Sequence, residues 1–311
     1  MTSATNLWAW AEERFPPAQG IFVAVLFTTG VLYGQFLSSS DTLVMGLVDV
    51  LGFISCWAVF LMLRIFDEHK DYVQDLHNYP DRVLQSGRIT LGHLKILGLM
   101  AILLQAGYSM TCDNGAGMVT FYWLMVFGWS LLMSAEFFVP RWLNSHLAVY
   151  ATSHMLVMPL IMAWLMRIGA SGSTLTAAAW WLVLLAFFAG CTYELTRKAW
   201  GAEEERDSVA SYARLLGTNG VAIAIMTTLG VTVLASTGMV LAIIPSTPGW
   251  GWYAAPVSGW LAVVVAVIRY AKLPTVKTRK NNEIMVGLGM LITYATPLTA
   301  MIAYRGISWT L

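Results

Sequence analysis

Long apolar runs separated by short polar breaks dominate the chain. A helix that crosses a bilayer needs roughly 20 mostly apolar residues, within a range of about 17–25. By that criterion nine spans are predicted: Ile21–Leu37, Leu43–Phe66, Leu94–Met110, Met118–Ala135, Leu147–Met166, Thr174–Tyr193, Val221–Ile244, Ala254–Tyr270 and Ile284–Tyr304. Ser38–Thr42, Asp113–Gly117 and Pro245–Gly251 read as short turns, rich in Gly, Pro, Ser or Asn. Two connections are long and hydrophilic, Asp67–His93 and Glu194–Gly220. No barrel-type alternation is visible. The expected fold class is an all-α membrane protein, a bundle of nine transmembrane helices.

Composition agrees with this pattern. Of 311 residues, 58% are hydrophobic and only 11% charged, and the mean hydropathy is +0.65. A soluble domain would have about 45–50% apolar residues and about twice the charge. These values exclude a soluble domain, a disordered chain and a nucleic-acid binder. Lys+Arg 18 nearly balance Asp+Glu 17, so no global electrostatic partner is implied. Placement of the charges carries more information. With nine spans, all of the 18 Lys and Arg except Arg167 and Arg305 fall on the side of the N-terminus. The positive-inside rule then puts the N-terminus and both long connections in the cytoplasm, with the C-terminus outside. Met1–Gln19 contains Glu12 and Glu13 and no basic region before an apolar core, so it does not read as a cleaved signal peptide. Cys56, Cys112 and Cys191 show no metal-type spacing and read as apolar packing.

The first long connection opens with Asp67-Glu68-His69-Lys70-Asp71-Tyr72-Val73-Gln74-Asp75. Asp67, Asp71 and Asp75 share one face if the preceding helix continues, and Glu68 flanks that face. Carboxylates at a helix C-terminus repel one another and the negative end of the helix dipole. A solvated acidic cap is the bland reading of such a run. A bound divalent cation would relieve the conflict, and oxygen-only ligands favour Mg²⁺. Pro80-Asp81-Arg82 and Gly87 follow, then Arg88 and Lys95. Arg82 offers a planar fork suited to phosphate oxygens, with Lys95 as a further cation. Metal-binding carboxylates beside cations make a site for a polyanion such as diphosphate.

The second connection contains Glu194-Leu195-Thr196-Arg197-Lys198, Glu203-Glu204-Glu205-Arg206-Asp207 and Ser211-Tyr212. Glu194 and Lys198 form an i, i+4 pair, worth only about 0.2–0.5 kcal/mol on an exposed helix. The functional reading instead places Glu194 and one or more of Glu203, Glu204 and Glu205 on a second metal. Arg197 and Lys198 then lie on the phosphate. Among polar residues inside the spans, His154 is a candidate cavity residue or a partner for a neighbouring helix, and Tyr212 is a further cavity candidate.

These two segments resemble the signatures of the UbiA superfamily of intramembrane prenyltransferases. The first family signature is N-D-x-x-D-x-x-x-D followed by a P-x-R-P-L-x-x-G-like stretch. Here Asp67 stands in the Asn position and Glu68 in the first Asp position; Asp71, Asp75, Pro80, Arg82, Leu84 and Gly87 match. The second acidic signature is replaced by Glu194-x-x-Arg197-Lys198 and the glutamate run. Arg14, before Pro16, resembles a basic residue near the start of the family's first helix. The resemblance implies a single domain over 1–311 with a central cavity capped on the cytoplasmic side by about 67–93 and 194–220. It also implies Mg²⁺-dependent ionisation of an isoprenyl diphosphate. Asp67, Glu68, Asp71, Asp75, Glu194, Glu203 and Glu204 are then metal candidates. Arg14, Arg82, Lys95, Arg197 and Lys198 are diphosphate candidates, and Asp71, Asp75, Arg197 and Lys198 carry the catalytic role.

Three outcomes are compatible with that chemistry. The carbocation alkylates a lipophilic acceptor in the bilayer, or its own double bonds attack it, as in a UbiA-type terpene cyclase. An ion-coupled transporter is the reading from another class, but transporter acids usually sit near the midplane on interrupted helices. The sequence gives no signal for oligomeric state.

Overall fold

A computed structural model describes residues 3–38, 42–170, 172–205 and 211–310. Arg206 and Asp207 lie outside the described residues. Residue packing divides the chain into two compact units, one of Met1–Phe27, Met45–Pro140 and Trp309–Leu311, the other of Thr28–Val44 and Arg141–Ser308.

The first unit contains α1 (Ser3–Arg14), the start of α2 (Gln19–Leu37), α3 (Leu47–Lys70), α4 (Tyr72–Asn78), α5 (Leu91–Cys112) and α6 (Met118–Ser134). Helix α3 packs against α5, α4 and α6. Side chains set the helix starts. Thr90 Oγ1 accepts the His93 N–H to begin α5, and Asp113 accepts the Val119 and Thr120 N–H groups to begin α6. These hydrogen bonds outweigh burial and hold the Asp113 carboxyl below its ordinary value. A left-handed turn over Glu136–Phe138 follows α6 and leaves Glu136 4.0 Å from Lys70.

The second unit contains the rest of α2, then α7 (Pro140–Ser145), α8 (Leu147–Met155), α9 (Val157–Gly169), α10 (Ala179–Arg197), α11 (Tyr212–Ile243), α12 (Gly251–Lys272) and α13 (Val276–Arg305). Helix α10 packs on α8, α9, α11 and α13, and α12 packs on α11 and α13. Ser211 caps α11 by accepting the Arg214 N–H, and Thr275 caps α13 by accepting the Thr278 N–H.

Eight helices among the described residues are long and apolar enough to cross a membrane, counting α8 and α9 as one path. The chain is a multi-pass, mostly helical membrane protein. The remaining expected span, Met118–Ala135, is the 17-residue α6, roughly 26 Å long at 1.5 Å per residue. The expected span Leu147–Met166 is divided at Leu156. Pro159 has no N–H to bond the Met155 carbonyl one turn back, which weakens the ladder there.

One boundary differs in kind. The expected span from Leu43 begins instead with a strand, β1 (Leu43–Gly46), which pairs with β2 (Ile307–Thr310). Gly46 is extended, and Asp49 Oδ2 accepts its N–H at 2.8 Å, fixing the start of α3 at Leu47. Apolar Leu43, Val44 and Met45 suit strand and helix alike, so composition could not separate the two.

Helices α2 and α9 cross at glycines. A Cβ on Gly34 would lie 2.0 Å from the Met166 carbonyl oxygen, and one on Gly169 would lie 2.0 Å from that of Val31. Small residues let helix backbones approach where lipid provides little hydrophobic drive. Gly34→Val should therefore lower the melting temperature, with a cost of about 1–3 kcal/mol from overpacking. Gly107→Ala, where an added Cβ meets nothing within 4 Å, should leave it nearly unchanged.

Candidate active site

In the first unit the acidic run begins where α3 ends. Asp71 joins α3 to α4, yet the i, i+4 hydrogen bonds continue across the joint: Asp71 N–H to Asp67 O and Asp75 N–H to Asp71 O, both 2.8 Å. The expected single face is thus only locally bent, but its side chains have separate fates. Asp67 is half-exposed and lies 3.5 Å from Lys70. Glu68 is fully buried; its Oε1 receives Arg14 Nε at 2.7 Å and Arg64 at 2.9 Å. Glu68 Oε2 is also buried and has no hydrogen-bond partner. Asp75 receives Arg82 at 2.8 Å and lies 3.5 Å from Arg14.

Asp71 forms no side-chain hydrogen bond or ion pair among the described residues. Burial pushes its carboxyl above the usual range, with Asp67 and Asp75 adding to the effect against Lys70 and Arg64.

Helix α1 braces this cluster. Trp10 is buried with Ile65, Val83, Leu84, Ile89 and Leu94. Glu13 Oε2 accepts the Val83 N–H at 2.9 Å, and its Oε1 stands 3.8 Å from Arg82 Nε. Asn6 donates to the Arg88 carbonyl. The Arg82 guanidinium lies 3.6 Å from the centre of the Tyr79 ring. Burial lowers the Arg82 pKa, with Arg14 adding to it and Asp75 opposing. Lys95 is exposed on the first turns of α5.

Arg64, Glu13 and Tyr79 were not among the sequence candidates. The position of Arg64, four residues before Glu68, was a usable signal. Glu13 offered none, because its partner Val83 is 70 residues away.

In the second unit Glu194 is buried at the end of α10. Arg197 lies 2.8 Å from its Oε2 and Lys198 2.9 Å from its Oε1. Lys198 also lies 4.9 Å from the centre of the Tyr150 ring, and that ring stacks on His154 at 3.9 Å. Tyr212 is also buried, with its hydroxyl unpartnered.

The glutamate run is divided. Glu203 is exposed. Glu204 takes both of its oxygens to Arg279, at 2.9 and 2.8 Å. Glu205 accepts from Ser211 and lies 3.4 Å from Arg214.

Among the described residues no group of three or more His, Cys, Asp or Glu is arranged to hold a metal. Mg²⁺, however, is usually bound through one or two carboxylates, several waters and substrate phosphates. The unpartnered Glu68 Oε2 and the uncommitted Asp71 fit that smaller requirement. Asp75, held by arginine, and Glu204, held by Arg279, are engaged elsewhere.

Two solved structures share this architecture. One, from work on digeranylgeranylglyceryl phosphate synthase in membranes, superposes with TM-score 0.61 at 15% identity, covering 96% of this chain and 99% of its own. The other, a UbiA homolog from Aeropyrum pernix K1 in its apo form, gives TM-score 0.59 at 12% identity, covering 89% and 98%. The fold is that of UbiA-type prenyltransferases. No family model matches the chain, and no curated protein matches it in sequence.

Removing the buried charge tests the first cluster. Breaking a buried pair from one side costs about 3–5 kcal/mol, and the partial exposure of both arginines discounts that to about 2–3 kcal/mol. Glu68→Ala should destabilise by that amount in a thermal melt, and more than Asp67→Ala.

Proposed function

We propose that this chain is a Mg²⁺-dependent intramembrane enzyme that ionises an isoprenyl diphosphate and transfers the prenyl group to a lipophilic acceptor. The observation that carries the reading is the buried Glu68 carboxylate, gripped by Arg14 and Arg64 through one oxygen while the other stays uncommitted. The UbiA fold supports the same direction.

Glu68 and Asp71 are the carboxylates that would hold Mg²⁺, which when bound would neutralise charge on the departing diphosphate. Asp75 has a different task. It fixes Arg82, and with Glu68 it fixes Arg14, so these guanidiniums present their remaining N–H groups without reorganising. Tyr79 and Glu13 hold the Arg82 turn from its other sides. In the second unit, Arg197 and Lys198 are aligned by Glu194, and cations so fixed suit phosphate oxygens.

As the allylic C–O bond breaks, negative charge moves onto the leaving group. Fixed cations therefore favour the transition state over the substrate. The active-site segments are proposed to face the cytoplasm, where the basic residues concentrate.

The deciding assay uses purified protein, Mg²⁺ and isoprenyl diphosphates of several lengths, with and without a membrane extract. Diphosphate release that needs the extract and yields a prenylated lipid is expected. Asp71→Asn should abolish turnover while the protein keeps its melting temperature, and EDTA should do the same reversibly. Full activity in EDTA would remove the metal from the reading. A cyclic hydrocarbon or alcohol formed without the extract would make the chain a terpene cyclase. Inertness towards every diphosphate would leave the acids as ion-binding groups of a transporter.

A further inference from the structure

The last two helices of the second unit pack closely and antiparallel. A Cβ on Gly259 would lie 3.1 Å from Ile292, and one on Gly289 would lie 3.0 Å from Val263, so α12 and α13 meet at small residues. Near the connection over 273–275 a cavity of about 250 Å³ opens, lined by Arg269, Lys277, Thr278 and Asn281.

Its positive charge is not balanced by the protein. Neither Arg269 nor Lys277 makes a side-chain hydrogen bond or ion pair among the described residues, and the lining contains no Asp or Glu. Glu283, two residues beyond Asn281, is held by Arg279, which also takes both oxygens of Glu204. The Thr278 hydroxyl is spent on the Leu273 carbonyl at 2.5 Å. The exposed Asn281 amide makes no hydrogen bond among the described residues. Two uncompensated cations beside an open amide complement a phosphate whose substituent carries hydroxyls.

The adjoining helix surface is apolar. Ile284 and Leu288 continue the stripe that Lys277 and Asn281 begin on α13, and Leu261, Val265 and Ile268 lead up to Arg269 on α12. All five apolar side chains are exposed. Cations at the end of exposed apolar stripes suit a molecule with an anionic head and hydrocarbon chains better than a free ion.

We propose that this cavity binds the head group of an anionic glycerophospholipid, its phosphate held between Arg269 and Lys277 and its head-group hydroxyls meeting Asn281. The acyl chains lie along the exposed stripes of α12 and α13. A zwitterionic lipid is the wrong match, because its own cation would enter a site that has two positive charges and no carboxylate. Phosphatidylglycerol supplies the phosphate and the hydroxyls without that charge.

The test is lipid retention by the purified full-length protein, read by native mass spectrometry and thermal shift. Phosphatidylglycerol should be retained about tenfold more than phosphatidylcholine. Replacing both cations, Arg269→Gln with Lys277→Gln, should remove that preference. Lys272→Gln deletes the same kind of exposed charge from the end of α12 but outside the cavity lining, and it should leave the preference in place. Soluble glycerol 3-phosphate at the same concentration should give no shift. Should the double variant melt early without lipid, Asn281→Trp, which fills the cavity and keeps both cations, should lose the preference instead. Equal retention of the two lipids, an equal loss with Lys272→Gln, a shift with the soluble phosphate, or a preference that survives both the double variant and Asn281→Trp would overturn the proposal. Arg269, Lys277 and Asn281 have no part in the proposed diphosphate chemistry, and retention is read without turnover, so this outcome is separate from that of the diphosphate assay.

Discussion

An ionised carboxylate buried at the end of an apolar helix is the constraint on which the first unit depends. Glu68 would cost several kcal/mol if left alone. Arg14 and Arg64 make it tolerable, and each must come from a particular place. Arg64 lies one turn back on α3, so geometry supplies it automatically. Arg14 ends α1, so that helix must be docked, and Trp10 docks it against α3, α5 and the turn between α4 and α5. Charge burial and apolar packing are therefore two parts of one arrangement. Loosening Trp10 would withdraw a counter-ion, and losing Glu68 would leave two arginines without their common partner.

The second unit meets a similar demand with a different circuit. Glu194 is neutralised entirely from its own chain neighbourhood by Arg197 and Lys198. Arg279, far away in sequence, is reserved for Glu204 and Glu283. The long connection after α10 is consequently held to α13 by ion pairing, and to α11 by Ser211 and the bond from the Tyr212 N–H to the Lys198 carbonyl. Acids that look equivalent in a run of three glutamates thus acquire unlike roles, exposed for Glu203, clamped for Glu204 and cap-associated for Glu205.

Much of this could be read from the chain alone where cause and effect are local. Apolar length marked the spanning helices, and an i, i+4 spacing correctly placed Glu194 beside Lys198. Two things resisted. The strand at Leu43–Gly46 uses residues equally suited to a helix, and its partner lies at the far end of the chain. The fates of Asp75 and Glu204 were not legible because their cations arrive from elsewhere: Arg82 by a turn, Arg14 by a docked helix, and Arg279 from 75 residues downstream. Spacing shows which acids are neighbours, but not which neighbour is neutralised.

The docking of α1 also constrains synthesis. Trp10 packs against Val83, Leu84, Ile89 and Leu94, none of which exists when the first segment leaves the ribosome. The docking of α1 is complete only once α5 has begun to emerge, and only then is Arg14 held at its carboxylate. Until that moment the nascent chain carries Glu68 with Arg64 as its nearest available counter-ion, so a half-made protein cannot assemble the complete charge cluster.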